Sequence, residues 1–150
     1  KTDADIGNVV EKAIRVLNQD LELILGKTIK KRFSRNLPRF AFDPDALEQV
    51  SLNLIKNGLQ AVDEGGEVTV VLKNGKKDNV ILEVRDNGPG IAAEEKKKLF
   101  EPYFTTKSKG MGLGMFIVKQ AVEAHNGSIE VLSSPAEGTV IHIELPTEGN

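Results

Sequence analysis

Asp86-Asn87-Gly88-Pro89-Gly90-Ile91 decides how this chain reads, because it sets a carboxylate at the end of an apolar run and then turns the backbone sharply. The glycines remove side chains that would keep a ligand at a distance. A carboxylate held there can accept a hydrogen bond from an exocyclic amine. Taken alone, the loop is as readily an ordinary turn, since Asn, Gly and Pro are common turn residues. Its neighbours decide between the two.

Upstream of the loop, residues 67–73 and 80–86 alternate with Val, Ile and Leu and are joined by Asn74-Gly75-Lys76-Lys77-Asp78, which predicts an antiparallel hairpin. Before it, Asp43-Pro44 supplies a capping residue and a first-turn proline for a helix running to about Val62, where Gly65-Gly66 ends the pattern. Residues 28–34 and 39–42 read as short strands, either paired or as one strand and an irregular edge. Residues 5–25 carry apolar positions at helical spacing, followed by Gly26, and predict one amphipathic helix. Downstream, a short helix at 93–99 and a loop at 101–110 rich in Thr, Ser, Lys and Gly precede a third long helix at 113–125, which Asn126-Gly127 ends. Strands at 128–132 and 139–145 close the chain around Ser134-Pro135 and Gly138. The expected architecture is α+β in two layers, a mixed but mostly antiparallel sheet with three main helices on one face.

Composition sets limits on function. With 150 residues, 39% hydrophobic and 28% charged, the chain has the make-up of one globular domain, residues 1–150. A net charge of -2 gives no basic stripe for nucleic-acid phosphates, and the lack of cysteine rules out disulfides and thiolate metal sites. No apolar run approaches the roughly 20 residues needed to span a bilayer. The chain starts at Lys1 with no apolar leader, so it reads as a piece of something longer.

Three segments carry chemistry. On the second helix Gln49, Asn53, Lys56, Asn57 and Gln60 fall at spacings of three and four, forming a polar stripe opposite Leu47, Val50, Leu54 and Ala61. Neutral amide oxygens of Asn53 and Asn57 suit Mg²⁺, which keeps several waters and takes one or two protein oxygens beside phosphates; a solvated helix face is the plain alternative. The loop Asp86 to Ile91 is the second. Gly110-Met111-Gly112-Leu113-Gly114 is the third, where backbone N–H groups and a helix start carrying about half a positive charge favour phosphate. Lys107 and Lys109 on the preceding loop can meet phosphate charge, and the glycines allow that loop to close and open. Phe100-Glu101-Pro102-Tyr103-Phe104 reads as a hydrophobic anchor rather than a ligand stack. His125 and His142 lack partners at metal-ligand spacing, and no Walker A, Rossmann, H-R-D or G-x-S-x-G pattern occurs.

Taken in order, these segments resemble the four boxes of the GHKL nucleotide-binding superfamily, and most closely those of sensor histidine kinases of the nitrogen-regulation and sporulation branch. Residues 47–57 resemble the N box, Asp86 to Ile91 the first glycine box, Leu99 to Lys107 the F box and Gly110 to Gly114 the second glycine box. The resemblance implies a Bergerat fold with a short ATP lid. It also implies ATP and Mg²⁺ as ligands: Asn57, helped by Asn53, on the metal; Asp86 on the adenine amine; Gly88, Gly90 and Ile91 along the base. Thr106 and Lys107 on the lid, with Gly110, Gly112, Leu113 and Gly114, would serve the phosphates, and Thr139 would support Asp86. The glutamate that activates water in gyrase-like and Hsp90-like relatives is replaced here by Asn53, which implies phosphotransfer rather than hydrolysis. Gln60 and Ala61 stand where many family members have a basic and an aromatic residue.

The resemblance further implies transfer of the ATP γ-phosphoryl group to a histidine on a separate dimerisation domain of the same parent, and then to a response-regulator receiver domain. It implies a cytoplasmic domain that is monomeric in isolation, within a homodimeric parent either free or membrane-anchored. Neither His125 nor His142 has the helical setting, followed by an acidic residue, of a phosphoacceptor, so isolated residues 1–150 are expected to bind ATP without phosphorylating themselves. The rivals are a GHKL ATPase, an anti-sigma-factor serine kinase or a degenerate nucleotide-sensing module.

Overall fold

The computed structural model describes residues 1–102, 114–134 and 137–148. Local chemistry accounts for the helix starts. Asp5 accepts a hydrogen bond from the Gly7 amide (2.8 Å) and opens α1, Ile6–Asn18. The single helix expected over 5–25 is broken. Asp20 prefers to cap rather than continue a helix, accepts from the Leu23 amide at 3.2 Å and starts a separate α2, Leu21–Ile24. Asp43 caps α3, Pro44–Ala61, with Pro44 in its first turn. Two further helices are α4, Ala93–Lys98, and α5, Gly114–Ala124.

Five strands, β2 (Thr28–Phe33), β4 (Glu67–Asn74), β5 (Asn79–Asp86), β6 (Ser128–Ser134) and β7 (Gly138–Pro146), form one sheet in the order β2-β4-β5-β7-β6. All pairs are antiparallel except β2 with β4, which the intervening α3 makes parallel. The two early runs do not pair with each other. β3 (Phe40–Phe42) instead pairs antiparallel with β1 (Thr2–Ala4), a strand that periodicity over three residues does not reveal.

Helices α1, α3 and α5 cover one face of the sheet. Leu54, Ile55 and Leu59 of α3 meet Val70, Leu72, Leu82 and Ile143 in a single core, each buried apolar side chain stabilising by about 1.5–3 kcal/mol. Strand alternation sends every second residue to the other face, which no described helix covers. His125 is buried beside the start of α3. Its Nε2 accepts from the Asp43 amide (3.0 Å) while its Nδ1 donates to the Ala121 carbonyl (2.7 Å), tying the start of α3 to the end of α5.

Candidate functional site

The carboxyl end of β5 opens into a cavity of about 320 Å³ between the sheet, α3 and α4. Asp86 reaches this cavity because it lies on the helix-facing register of β5, two residues past the core residue Val84. One oxygen of its carboxylate accepts from the Gly88 amide at 2.9 Å, which folds the loop back on its own aspartate. Asn57 and Gln60 enter from α3, Gly90 and Ile91 from the loop, and Thr139 from β7, where it pairs in register with Asp86. Leu54, Val84, Ile141 and Met115 give the apolar back wall. A flat, largely apolar group with a polar edge fits such a lining, with the carboxylate meeting the edge.

The glycines divide into distinct jobs. Gly90 takes φ +80° and lines the cavity. Gly88 does not line it; a Cβ there would lie 2.6 Å from the Ala61 carbonyl oxygen, so its smallness lets the loop pass under the end of α3. Gly138 takes φ +89°, and a Cβ on it would come within 2.0 Å of the Asp86 carbonyl oxygen, so no other residue lets β7 approach Asp86 this closely. Gly58, which sequence reading passed over, lines the cavity too, and a Cβ on it would press on Val68 at 3.0 Å. Nothing in a helical pattern distinguishes such a glycine from a weak helix former. Ala61, assigned by spacing to the core side of α3, is exposed and lines the cavity, because the helix ends there and its last turn overhangs the loop.

Asn53 sits one turn before Asn57 and outside the cavity lining. It accepts from Gln49 Nε2 at 3.3 Å, and its own amide nitrogen donates to the Gly114 carbonyl at 3.5 Å, so it faces the first residue of α5. Phe100 packs against the core and lies under Lys119 at 5.6 Å, the anchor expected of its cluster. Thr106, Lys107, Lys109, Gly110, Gly112 and Leu113, with Tyr103 and Phe104, lie outside the described residues.

On the face that no described helix covers, a second polar cluster had no signal in the sequence beyond strand alternation. Glu83 is 7% exposed and accepts from Arg85 (Nη2 2.5 Å, Nε 3.1 Å) and His142 Nδ1 (2.5 Å). The other ring nitrogen of His142 meets Glu144 at 3.1 Å. Burial pushes the Glu83 carboxyl up, but the bonds from His142 and Arg85 outweigh it and hold it below its ordinary 4.5. Burial pushes His142 down, and the two carboxylates raise it above 6.5.

Residues 42–149 match the family model of histidine kinase-, DNA gyrase B- and HSP90-like ATPases. The chain is 38% identical over 144 residues, 95% of its length, to the sensor histidine kinase ZraS of Salmonella typhi, and 36% identical over 115 residues, 77% of its length, to sporulation kinase E of Bacillus subtilis. It spans 30% of the first protein and 16% of the second. The mycobacterial sensor histidine kinase MprB superposes with a TM-score of 0.86 at 26% identity, covering 99% of this chain and 100% of that one. The catalytic domain of histidine kinase ThkA gives 0.85 at 26%, covering 97% and 95%. With the mixed sheet, the helix-covered face and the cavity at the end of β5, these likenesses make the chain a Bergerat-fold member of the histidine kinase-, DNA gyrase B- and HSP90-like ATPase family, built like the catalytic domains of sensor histidine kinases.

Proposed function

We propose that this domain binds Mg²⁺-ATP in the cavity at the end of β5, on the cytoplasmic side of its parent, and presents the γ-phosphoryl group to a histidine on that parent's dimerisation domain. The observation that carries this reading is Asp86. Its carboxylate lies at the lip of an apolar-backed cavity, oriented by Gly88, with Asn57 on the wall supplied by α3. A solved neighbour of this fold, full-length ShkA with AMPPNP bound, supports a nucleotide as the occupant; it superposes with a TM-score of 0.84 at 26% identity.

In this reading Asp86 accepts the adenine amine proton as a hydrogen bond, and Gly90 and Ile91 flank the base. Leu54, Val84 and Ile141 exclude water behind it. Asn57, with Asn53 one turn earlier, would hold Mg²⁺, whose charge offsets that of the phosphates. Asn53 has no proton-accepting basicity, so water is not activated and positioning carries the reaction. Both histidines have each ring nitrogen engaged, His125 by backbone groups and His142 by carboxylates, which supports a phosphoacceptor outside this chain. The parent would act as a homodimer and pass the phosphoryl group to a response-regulator receiver domain.

Mixing the domain with the helical dimerisation domain of its parent and labelled ATP is expected to label the latter's histidine, and Asn57→Ala is expected to abolish it. Label on His125 or His142, or steady phosphate release by the domain alone, would move the reading to a different member of the family.

A further inference from the structure

We infer that Ser133, on β6, is the positioning residue of the base-binding corner; this rests on the nucleotide reading above. Along β6 the helix-facing positions are Ile129, Val131 and Ser133, and the first two pack in or against the apolar core. A third apolar residue would continue that face. A hydroxyl stands there instead, and it is engaged by three groups from the two segments that build the corner. The Ile91 amide donates to Ser133 Oγ at 2.7 Å, the Gly138 carbonyl lies 3.3 Å from it, and the Thr139 hydroxyl lies 3.3 Å from it.

A serine hydroxyl has one proton to give and two lone pairs to receive. Ser133 can therefore accept from Ile91 and Thr139 while donating to Gly138, which satisfies all four groups. If it turns its proton to Thr139 instead, the Thr139 proton is released toward the cavity. Either way Ser133 fixes the height of the loop that carries Ile91 and the direction of the Thr139 hydroxyl, and both residues line the cavity beside Asp86. Without the hydroxyl, the Ile91 amide loses its partner and the far end of the loop loses its tie to β6, while Asn87 still holds the near end to Glu67 of β4.

Ser133→Ala and Ser133→Thr test this. The alanine variant is expected to bind Mg²⁺-ATP about five- to tenfold more weakly in calorimetry and to lose preference for ATP over GTP by a similar factor, as expected for one hydrogen bond. Amide hydrogen exchange at Ile91 in the nucleotide-free domain should speed up in parallel. Ser133→Thr keeps the hydroxyl and should restore all three readouts, which general destabilisation would not do. The inference is overturned if Ser133→Ala leaves ATP affinity and Ile91 exchange unchanged, if ATP and GTP weaken equally with Ile91 still protected, or if threonine fails to rescue. A wild-type domain that does not bind Mg²⁺-ATP overturns the nucleotide reading, and this inference with it. A wild type that binds while Ser133→Ala binds equally well overturns the inference alone.

Discussion

Glu83 and Asp86 stand three residues apart on β5 and therefore point to opposite faces of the sheet. Glu83 faces the side that no described helix covers, and the Arg85 guanidinium and the His142 ring hold both of its oxygens. Asp86 faces the helix side, where one of its oxygens accepts from a backbone amide of its own loop and a cavity adjoins it. Two carboxylates of one strand thus have different work. One is neutralised within the fold and ties β5 to β7, while the other is oriented at the edge of a space large enough for a ligand. Burial alone does not separate them, since the structural carboxylate is the more buried. The chemistry of the groups around each does.

This contrast can be broken in four ways. Gly138→Ala should have the largest effect, because the added Cβ meets the Asp86 carbonyl and the backbone there has φ +89°. A loss of about 3 kcal/mol in chemical denaturation is expected, with nucleotide binding lost as well. A variant as stable as wild type would mean that β7 can move away from Asp86 without cost. Next comes Asp86→Asn, which keeps an oxygen for the Gly88 amide while removing the charge. Its dissociation constant for Mg²⁺-ATP should rise about ten- to a hundredfold with the melting temperature nearly unchanged. Unchanged affinity would remove Asp86 from the site.

Glu83→Gln should do the reverse. It leaves Arg85 without its anion and His142 with Glu144 alone, and should cost about 1 kcal/mol of stability, a figure held down by the partial exposure of Arg85, with ATP affinity altered less than about twofold. A large loss of ATP affinity would show that the two faces of β5 are not independent.

The smallest effect is the pH dependence of the same cluster. The contribution of His142, whose folded value is raised, is complete below its ordinary 6.5 and fades as pH rises through the folded value above it. The contribution of Glu83, whose folded value is lowered, is complete above 4.5 and fades as pH falls through the folded value below it. The stability difference between wild type and His142→Gln should therefore be largest between these limits and shrink at alkaline pH. A difference that is flat with pH would show that the His142 ring is not held in its charged form by its carboxylates.

Much of the site could be read along the chain. Asp86, Gly90, Ile91 and Asn57 were expected at a ligand, and the structure brings all four to one cavity with Thr139. Gly88, expected to make room for a base, also makes room for the end of α3. The first helix was expected in one piece, because apolar spacing runs through Asp20 without registering that its side chain competes as a cap. Strand β1 escaped notice since three residues carry no measurable period.

What the amino-acid order settled alone is local or ordered along one dimension: the capped helices, the hairpin of β4 and β5, the turn after Asp86 and the sequence of boxes that marks the family. These follow from backbone preferences and spacing, which neighbours in the chain decide among themselves. What tertiary structure alone decided is which groups meet across the chain. The parallel pairing of β2 with β4, the tie from Ser133 to Ile91 and the closing of Glu83 between Arg85 and His142 belong to it. So does the turning of Asp86 toward the cavity. Each depends on register and layer packing, and a shift of one residue along a strand would send every one of these side chains to the other face.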